Sequence, residues 1–356
     1  MSAMKTSSIL FKPLKLGSIE IPNRIIMSPC TRCRASEKRI PTDMMIKYYT
    51  DRASAGLIIT EATSVCPIGV GYPNTPGIWN KEQVLAWKRV TEAIHKEKGR
   101  IFLQLWHVGR VSDPIYLDGK LPVAPSAIAA EGHINLVRPK RNYVVPHALE
   151  LSEIPAIVES FKSGAINAKE AGFDGVEIHG ANGYLLDQFL QDISNKRIDQ
   201  YGGCVENRAR FMLEVTDAVI SVWGAERVGM HLAPGCDLLS MGDSNPLKTF
   251  SYVVKELNRR QLAFIFSREA QGEGYIGDKL RKEFDGVFIA NQQLTQVSAE
   301  KIIDVGNADA VAFGQLFIAN PDLPERFKSD SKLNEPHPET FFSNGAKGYN
   351  DYPKLG

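Results

Sequence analysis

Residues 152–179, SEIPAIVESFKSGAINAKEAGFDGVEIH, carry the reading that decides the fold. Ser152 to Ala171 has an apolar spacing of helical period, with Ser152 placed to cap its start and Gly172 placed where a helix stops. Phe173 to His179 then reads as a short apolar strand. The same unit recurs in both directions. Further strands are expected at Arg24–Ser28, Gly56–Thr63, Arg100–His107, Arg227–Ala233, Leu262–Ser267, Gly286–Asn291 and Ala308–Gly314, which makes eight. Helices are expected between them at Thr42–Ala55, Lys81–Lys98, Glu206–Trp223, Pro246–Arg260, Asp278–Phe284 and Ser298–Val305, with Ser298 as a cap, and a last one after Asn320. Strands alternating with helices specify a parallel sheet, and eight of them specify a closed (β/α)8 TIM barrel of class α/β. An open doubly wound sheet would more often show a glycine fingerprint after its first strand, and none occurs there.

Length agrees with this reading. The 356 residues would suit two average domains, but one barrel with insertions accommodates residues 1–356 as a single domain. The 42 basic and 41 acidic side chains nearly cancel, so no field exists to gather nucleic acid or an anionic membrane. No apolar run approaches the roughly 20 residues needed to cross a bilayer, and the start of the chain lacks a signal-peptide pattern, so the cytoplasm is expected. Five scattered cysteines fit a reducing compartment. The spacing of Cys30 and Cys33 matches C-x-x-C, but no second pair completes a metal site, and none is expected.

Two stretches break the alternation. Residues 1–22 are expected to form a short lid over the closed end of the barrel, and Val108–Leu151, with five prolines, is a long insertion after the third strand. Barrel active sites lie at the strands' C-terminal ends, so this insertion reads as a cover over the substrate pocket. The polar residues at that rim are Thr31 after strand one, Gln104, Trp106 and His107 on strand three, and His179, Asn182 and Tyr184 after strand four. An imidazole, an amide and a phenol within six residues can bind a carbonyl oxygen and deliver a proton to a nearby carbon.

These residues also carry a resemblance. Phe11-Lys-Pro-Leu-Lys-Leu-Gly17, Ser28-Pro-Cys-Thr31, Gln104-Leu-Trp-His-Val-Gly-Arg110, Gly172 to His179, Tyr184 to Leu190, Asp199-Gln-Tyr-Gly-Gly203 and Gly348-Tyr-Asn-Asp-Tyr-Pro353 resemble the old yellow enzyme family nearly end to end. The resemblance implies an FMN-containing barrel, reduced by NAD(P)H, that passes hydride to an activated alkene or enone. It implies that Thr31, Gln104 and the backbone at Ala62 contact the flavin ring. His179 and Asn182 would bind the substrate's carbonyl oxygen, and Tyr184 would protonate the α-carbon. Trp106 and Phe342 would line an apolar pocket for a small molecule.

The chain departs from that family at the cofactor. His231 stands on strand five where the family has an arginine, and Ile289-Ala-Asn-Gln-Gln-Leu-Thr295 replaces a glycine-containing phosphate turn. After strand eight, Gly314-Gln315 replaces Gly-Arg. Losing two charge-assisted bonds removes roughly 3–6 kcal/mol, about 10² to 10⁴ in affinity, so FMN, expected from the resemblance with Gly314 also at its site, is bound usefully if His231, Asn291 and Gln315 hydrogen-bond it and weakly or not at all if they do not. Two alternatives to an ene reductase follow. One is a flavin-independent isomerase or cyclase using His179, Asn182 and Tyr184, and the other is a noncatalytic binding barrel. Gly272-Glu-Gly-Tyr-Ile-Gly277 fits G-x-G-x-x-G but follows the sixth strand, with no acid-ended strand about 20 residues on, and is read as an active-site loop.

Overall fold

A computed structural model describes residues 8–134 and 136–356. Eight parallel strands close on themselves: β1 (Ile25–Met27), β2 (Leu57–Ile59), β3 (Ile101–Trp106), β4 (Gly175–His179), β5 (Val228–Leu232), β6 (Phe264–Arg268), β7 (Val287–Asn291) and β8 (Ala310–Phe313). Closure is made where Val311 of β8 registers with Ile25 of β1, and Ile26 in turn with Leu57 of β2. All eight expected strands are present.

Side chains alternate along each strand, which divides the core in two. Ile26, Leu57, Ile59, Phe102, Phe264, Phe266, Ile289 and Ala312 point inward and fill the barrel. Their neighbours, among them Ile25, Ile58, Leu103, Val176, Ile265 and Val311, point outward into the layer under the helices. That outer layer is α1 (Asp43–Thr50), α2 (Lys81–Lys96), α3 (Ile154–Glu170), α4 (Val205–Trp223), α5 (Pro246–Arg259), α6 (Gly277–Arg281), α7 (Gln296–Asp304) and α8 (Leu323–Ser329). A short helix at Gln315–Ala319 precedes α8, so the expected last helix is two.

Two expected caps are corrected. Thr295, not Ser298, caps α7. Its hydroxyl accepts from the Ser298 amide at 3.2 Å while the Ser298 hydroxyl accepts from the Thr295 amide at 2.9 Å, a reciprocal box that moves the helix start three residues upstream. Ser152 does not cap α3, which starts after Glu153 without a side-chain cap and with Pro155 in its first turn.

The lower end of the barrel is sealed by a hairpin, Leu14–Leu16 with Ile19–Ile21, whose Leu16 and Ile21 join the inner core. Gly17 turns it at φ +55, against the Glu226 carbonyl that accepts from the Ser18 amide at 3.2 Å; a Cβ at Gly17 would lie 2.0 Å from that oxygen. This is the expected lid, of which residues 1–7 lie outside the described residues. At the opposite end the insertion after β3 folds over the mouth. Val108, Val111, Ala130, Ile134 and Tyr143 pack with Ala62, Tyr72 and Trp106 into a cluster separate from both barrel layers. Among the described residues no helix is long and apolar enough to cross a membrane.

Candidate active site

β4 ends at His179, and the next five residues turn back sharply. The Gly180 amide donates to the His231 carbonyl at 3.0 Å, Asn182 adopts φ +58, and the Gly183 amide donates to Asp187 Oδ2 at 2.9 Å. Asn is one of the few residues with a Cβ that enters this left-handed region at low cost. The turn delivers Tyr184 to the start of a short helix, Leu185–Leu190, and brings its ring edge-on to His179 at 5.0 Å. Trp106 of β3 stands 5.0 Å from the Tyr184 ring and 6.4 Å from His179, stacked on the latter. The expected imidazole, phenol and indole are thus gathered at one mouth, with Asn182 on the same turn.

Tyr72, which the sequence did not single out, adds a hydroxyl 3.0 Å from that of Tyr184. Its position in the connection after β2 was the available signal. Burial, the neighbouring Tyr72 and then other groups push the Tyr184 hydroxyl well above its ordinary pKa, so it stays protonated. Burial, with the nearby His231 and Arg268, pushes His179 well below its ordinary value, so it is neutral. The mouth therefore offers uncharged donors beside an uncharged acid.

Beneath it lies a buried polar network. His231 of β5 registers beside His179 of β4, and their rings stack at 5.0 Å and 5°. Gln104 Nε2 donates to Glu177 Oε2 at 2.6 Å and faces His231 Nδ1 at 3.1 Å. With Gln104 as donor, Nδ1 accepts and the ring proton lies on Nε2, which is buried with no partner among the described residues. His231 and Glu177 stand 3.7 Å apart, the spacing of an ion pair. Burial opposes it by lowering His231 to about 3 and raising Glu177 to about 8. Near neutrality both are uncharged, so His231 supplies a hydrogen bond donor and no cation.

A cavity of about 950 Å³ opens beside this network, among the ends of β1 and β5–β8. That is within the range of small-molecule sites. His231, Asn291, Gly314 and Gln315 line it, as does Asn182; Thr31, Ala62 and Gln104 do not. Gln104 is turned down into the network, Ala62 is packed with Trp106 and Tyr72, and Thr31 is half-buried after β1. Phe342 is not brought to the cavity: it is 46% exposed, on a C-terminal segment whose Phe341 carbonyl accepts from Arg32 and Arg34.

At the loops after β7 and β8 the lining is neutral or acidic. Gln292 and Gln293 hold φ values of +102 and +55, the backbone region glycine adopts freely, and Asn291 Nδ2 is engaged with the Ala312 carbonyl at 2.8 Å. Asp330 is the carboxylate of the lining, and its one fixed cation among the described residues is Arg268, which the sequence reading missed. Arg268 ends β6 on the same face as Phe264 and Phe266, a parity that could have found it. The unpaired His231 Nε2 and the volume of the cavity fit the edge of a flavin ring. The tail end fits a phosphate only through neutral donors.

The other motifs fall elsewhere. Burial raises the Cys30 and Cys33 thiols to about 11 and 12, and both are free. No metal-binding group of side chains occurs among the described residues. The glycine-rich segment at 272–277 walls a second cavity of about 520 Å³ that shares Arg268 and Gln292 with the first.

Residues 9–334 match the NADH:flavin oxidoreductase / NADH oxidase family. A probable flavin mononucleotide-dependent alkene reductase of Leishmania infantum is 44% identical across 99% of both chains. A 12-oxophytodienoate reductase 1 of Oryza sativa subsp. japonica is 42% identical over 97% of this chain and 93% of its own. Among solved structures, morphinone reductase in complex with tetrahydroNAD superposes with a TM-score of 0.94 at 48% identity, covering 98% of each chain. An old yellow enzyme homologue from Zymomonas mobilis gives 0.95 at 43% identity, covering 97% of this chain and 99% of that one.

Proposed function

This chain belongs to the NADH:flavin oxidoreductase / NADH oxidase family and is an oxidoreductase of the old yellow enzyme kind, and from that premise we propose how its mouth reduces an activated alkene with NAD(P)H. The observation that carries the proposal is the convergence of neutral His179, protonated Tyr184 and Asn182 on one turn after β4. FMN supplies the hydride when bound. His231 would meet its ring, and Asn291, Gly314 and Gln315 its tail, whereas Thr31, Ala62 and Gln104, expected at the ring, lie off this cavity.

The chain's own residues do the rest. His179 and Asn182 donate to the substrate's carbonyl oxygen, which gains negative charge as hydride reaches the β-carbon, and donors fixed in advance stabilise that charge without reorganising. Tyr184 hands its proton to the α-carbon. The Tyr72 hydroxyl, 3.0 Å away, holds the Tyr184 hydroxyl in place and can accept or donate as the proton leaves. Trp106 and the insertion cluster keep water from the mouth.

The tail of the cofactor is held differently. With Gln315 and the 292–293 turn in place of charge and glycine, FMN loses most of its advantage over riboflavin, because at the loops after β7 and β8 a phosphate meets only neutral donors. The relatives favour the reductase over the isomerase or cyclase reading and over the noncatalytic barrel. The whole chain would act as one domain on a small molecule in the cytoplasm. An absorption spectrum of the pure protein with and without added FMN, followed by NADPH consumption with cyclohexenone, tests the proposal. A colourless protein that takes up no added FMN overturns it.

A further inference from the structure

β6 carries Phe264 and Phe266 into the barrel, and Phe266 packs on the His231 ring at 4.4 Å. Arg268, two residues on, has the same inward parity one layer higher, at the level of the cavity. One bond holds it: Nη1 donates to Asn182 Oδ1 at 2.7 Å. Among the described residues no carboxylate lies within 4.0 Å of its guanidinium, and its remaining N–H groups have no protein partner. A half-buried cation without a counter-charge is costly to maintain, and a planar fork of free donors is matched by a carboxylate. The same bond fixes Asn182. Its Oδ1 is occupied by Arg268, so its Nδ2 is left as the donor toward the mouth.

We propose that Arg268 is a specificity-determining residue that, with Asn182, receives the carboxylate of an α,β-unsaturated acid. The inference rests on the reductase reading and narrows its substrate class. Hydride addition to the β-carbon of such an acid places a second negative charge on the carboxylate oxygens, which neutral donors stabilise poorly and an adjacent guanidinium stabilises well. The step balances: two electrons and one hydrogen come from NAD(P)H, the proton from Tyr184 goes to the α-carbon, and solvent returns it to Tyr184. The products are NAD(P)⁺ and the saturated acid. An anionic oxygen in this cavity could also come from the phosphate of FMN, so the experiment has an arm for each source.

Cyclohex-1-ene-1-carboxylate and cyclohex-2-en-1-one are titrated against the purified protein by tryptophan fluorescence, and FMN and riboflavin by flavin fluorescence, for wild type, Arg268→Gln and Arg268→Lys. Wild type is expected to prefer the carboxylate. Arg268→Gln is expected to lower that preference by about tenfold to a hundredfold, the range of a charge-assisted hydrogen bond, and Arg268→Lys to restore part of it. The FMN-to-riboflavin ratio is expected to stay as in wild type. No carboxylate preference in wild type, or equal losses for acid and ketone in Arg268→Gln, overturns the proposal. A fall in the FMN-to-riboflavin ratio in place of the substrate effect also overturns it and assigns Arg268 to the cofactor. If carboxylate binding depends on Arg268 while the FMN-loaded protein reduces neither alkene, the anchor stands and the reductase reading falls.

Discussion

The turn after β4 and the loops after β7 and β8 are built on the same barrel rim and have opposite chemistry. At the end of β4 and just after it, His179 and Tyr184 are neutral and packed against Trp106, with Asn182 on the turn between them. After β7 and β8, side chains occupy backbone that glycine would adopt freely, amides stand where charge is expected, and Asp330 faces the same space. On the proposed reading, substrate chemistry and retention of the cofactor's tail can be tested separately. The two regions meet at His231, stacked on His179, and at Arg268, bonded to Asn182.

The sharpest way to break this contrast is at Tyr184. Tyr184→Phe keeps the ring against Trp106 and His179 and removes the hydroxyl, with its proton and its bond to Tyr72, so kcat for alkene reduction should fall by about 10² to 10⁴ with substrate affinity changed little. Steady-state rates and a ligand titration on the same FMN-loaded preparation decide it. If kcat stays within a few-fold of wild type, water or Tyr72 protonates the product, and the β4 turn is a binding site alone.

At the other region the test is a gain. Gln315→Arg places a cation at the tail end of the cavity and should raise affinity for FMN by roughly tenfold to a hundredfold while leaving riboflavin alone, since only the phosphate distinguishes them. Equal improvement of both flavins, or of neither, would mean the tail lies elsewhere. A smaller effect is expected from Gln292→Gly and Gln293→Gly. Each relieves a left-handed conformation costing about 1–2 kcal/mol but adds unfolded-state entropy of about 0.4–1 kcal/mol, so a net gain near 1 kcal/mol per site should appear as a higher urea midpoint.

Why the barrel was legible and part of the site was not is a matter of periodicity. Eight short apolar runs alternating with segments of helical period leave little choice of fold, and His179, Asn182 and Tyr184 lie within six residues, so bringing them together needs only one turn. Tyr72 comes from the connection after β2 and Arg268 from the end of β6, and they meet Tyr184 and Asn182 across 112 and 86 residues. Nothing local in the chain marks those contacts. Gln104 shows the converse. Its place on β3 was plain, but its amide is spent on Glu177 and His231, and whether a strand-end polar group faces the cavity or the network below depends on partners three-dimensionally adjacent. Phe342 was misplaced because the C-terminal segment is positioned by Arg32 and Arg34, which bind its carbonyls and leave no trace in its own spacing.

The smallest effect expected is on stability, and it probes the network under both regions. Burial raises Glu177 from 4.5 to about 8, so the folded state keeps this proton where the unfolded chain has released it. The contribution is therefore complete below the unfolded value and is lost as pH rises through about 8; stability should decline across that window, not improve. Asp187 and Glu61, each raised to about 7 chiefly by burial, act in the same direction. Glu177→Gln imitates the protonated acid toward Gln104 and cannot ionise. Urea midpoints measured from pH 5 to 8 should thus fall less steeply in the variant than in wild type. An unchanged slope would mean that Glu177 is ionised at neutrality, which would draw a proton onto His231 and return a cation to the ring end of the cavity, setting it further apart from the loops after β7 and β8.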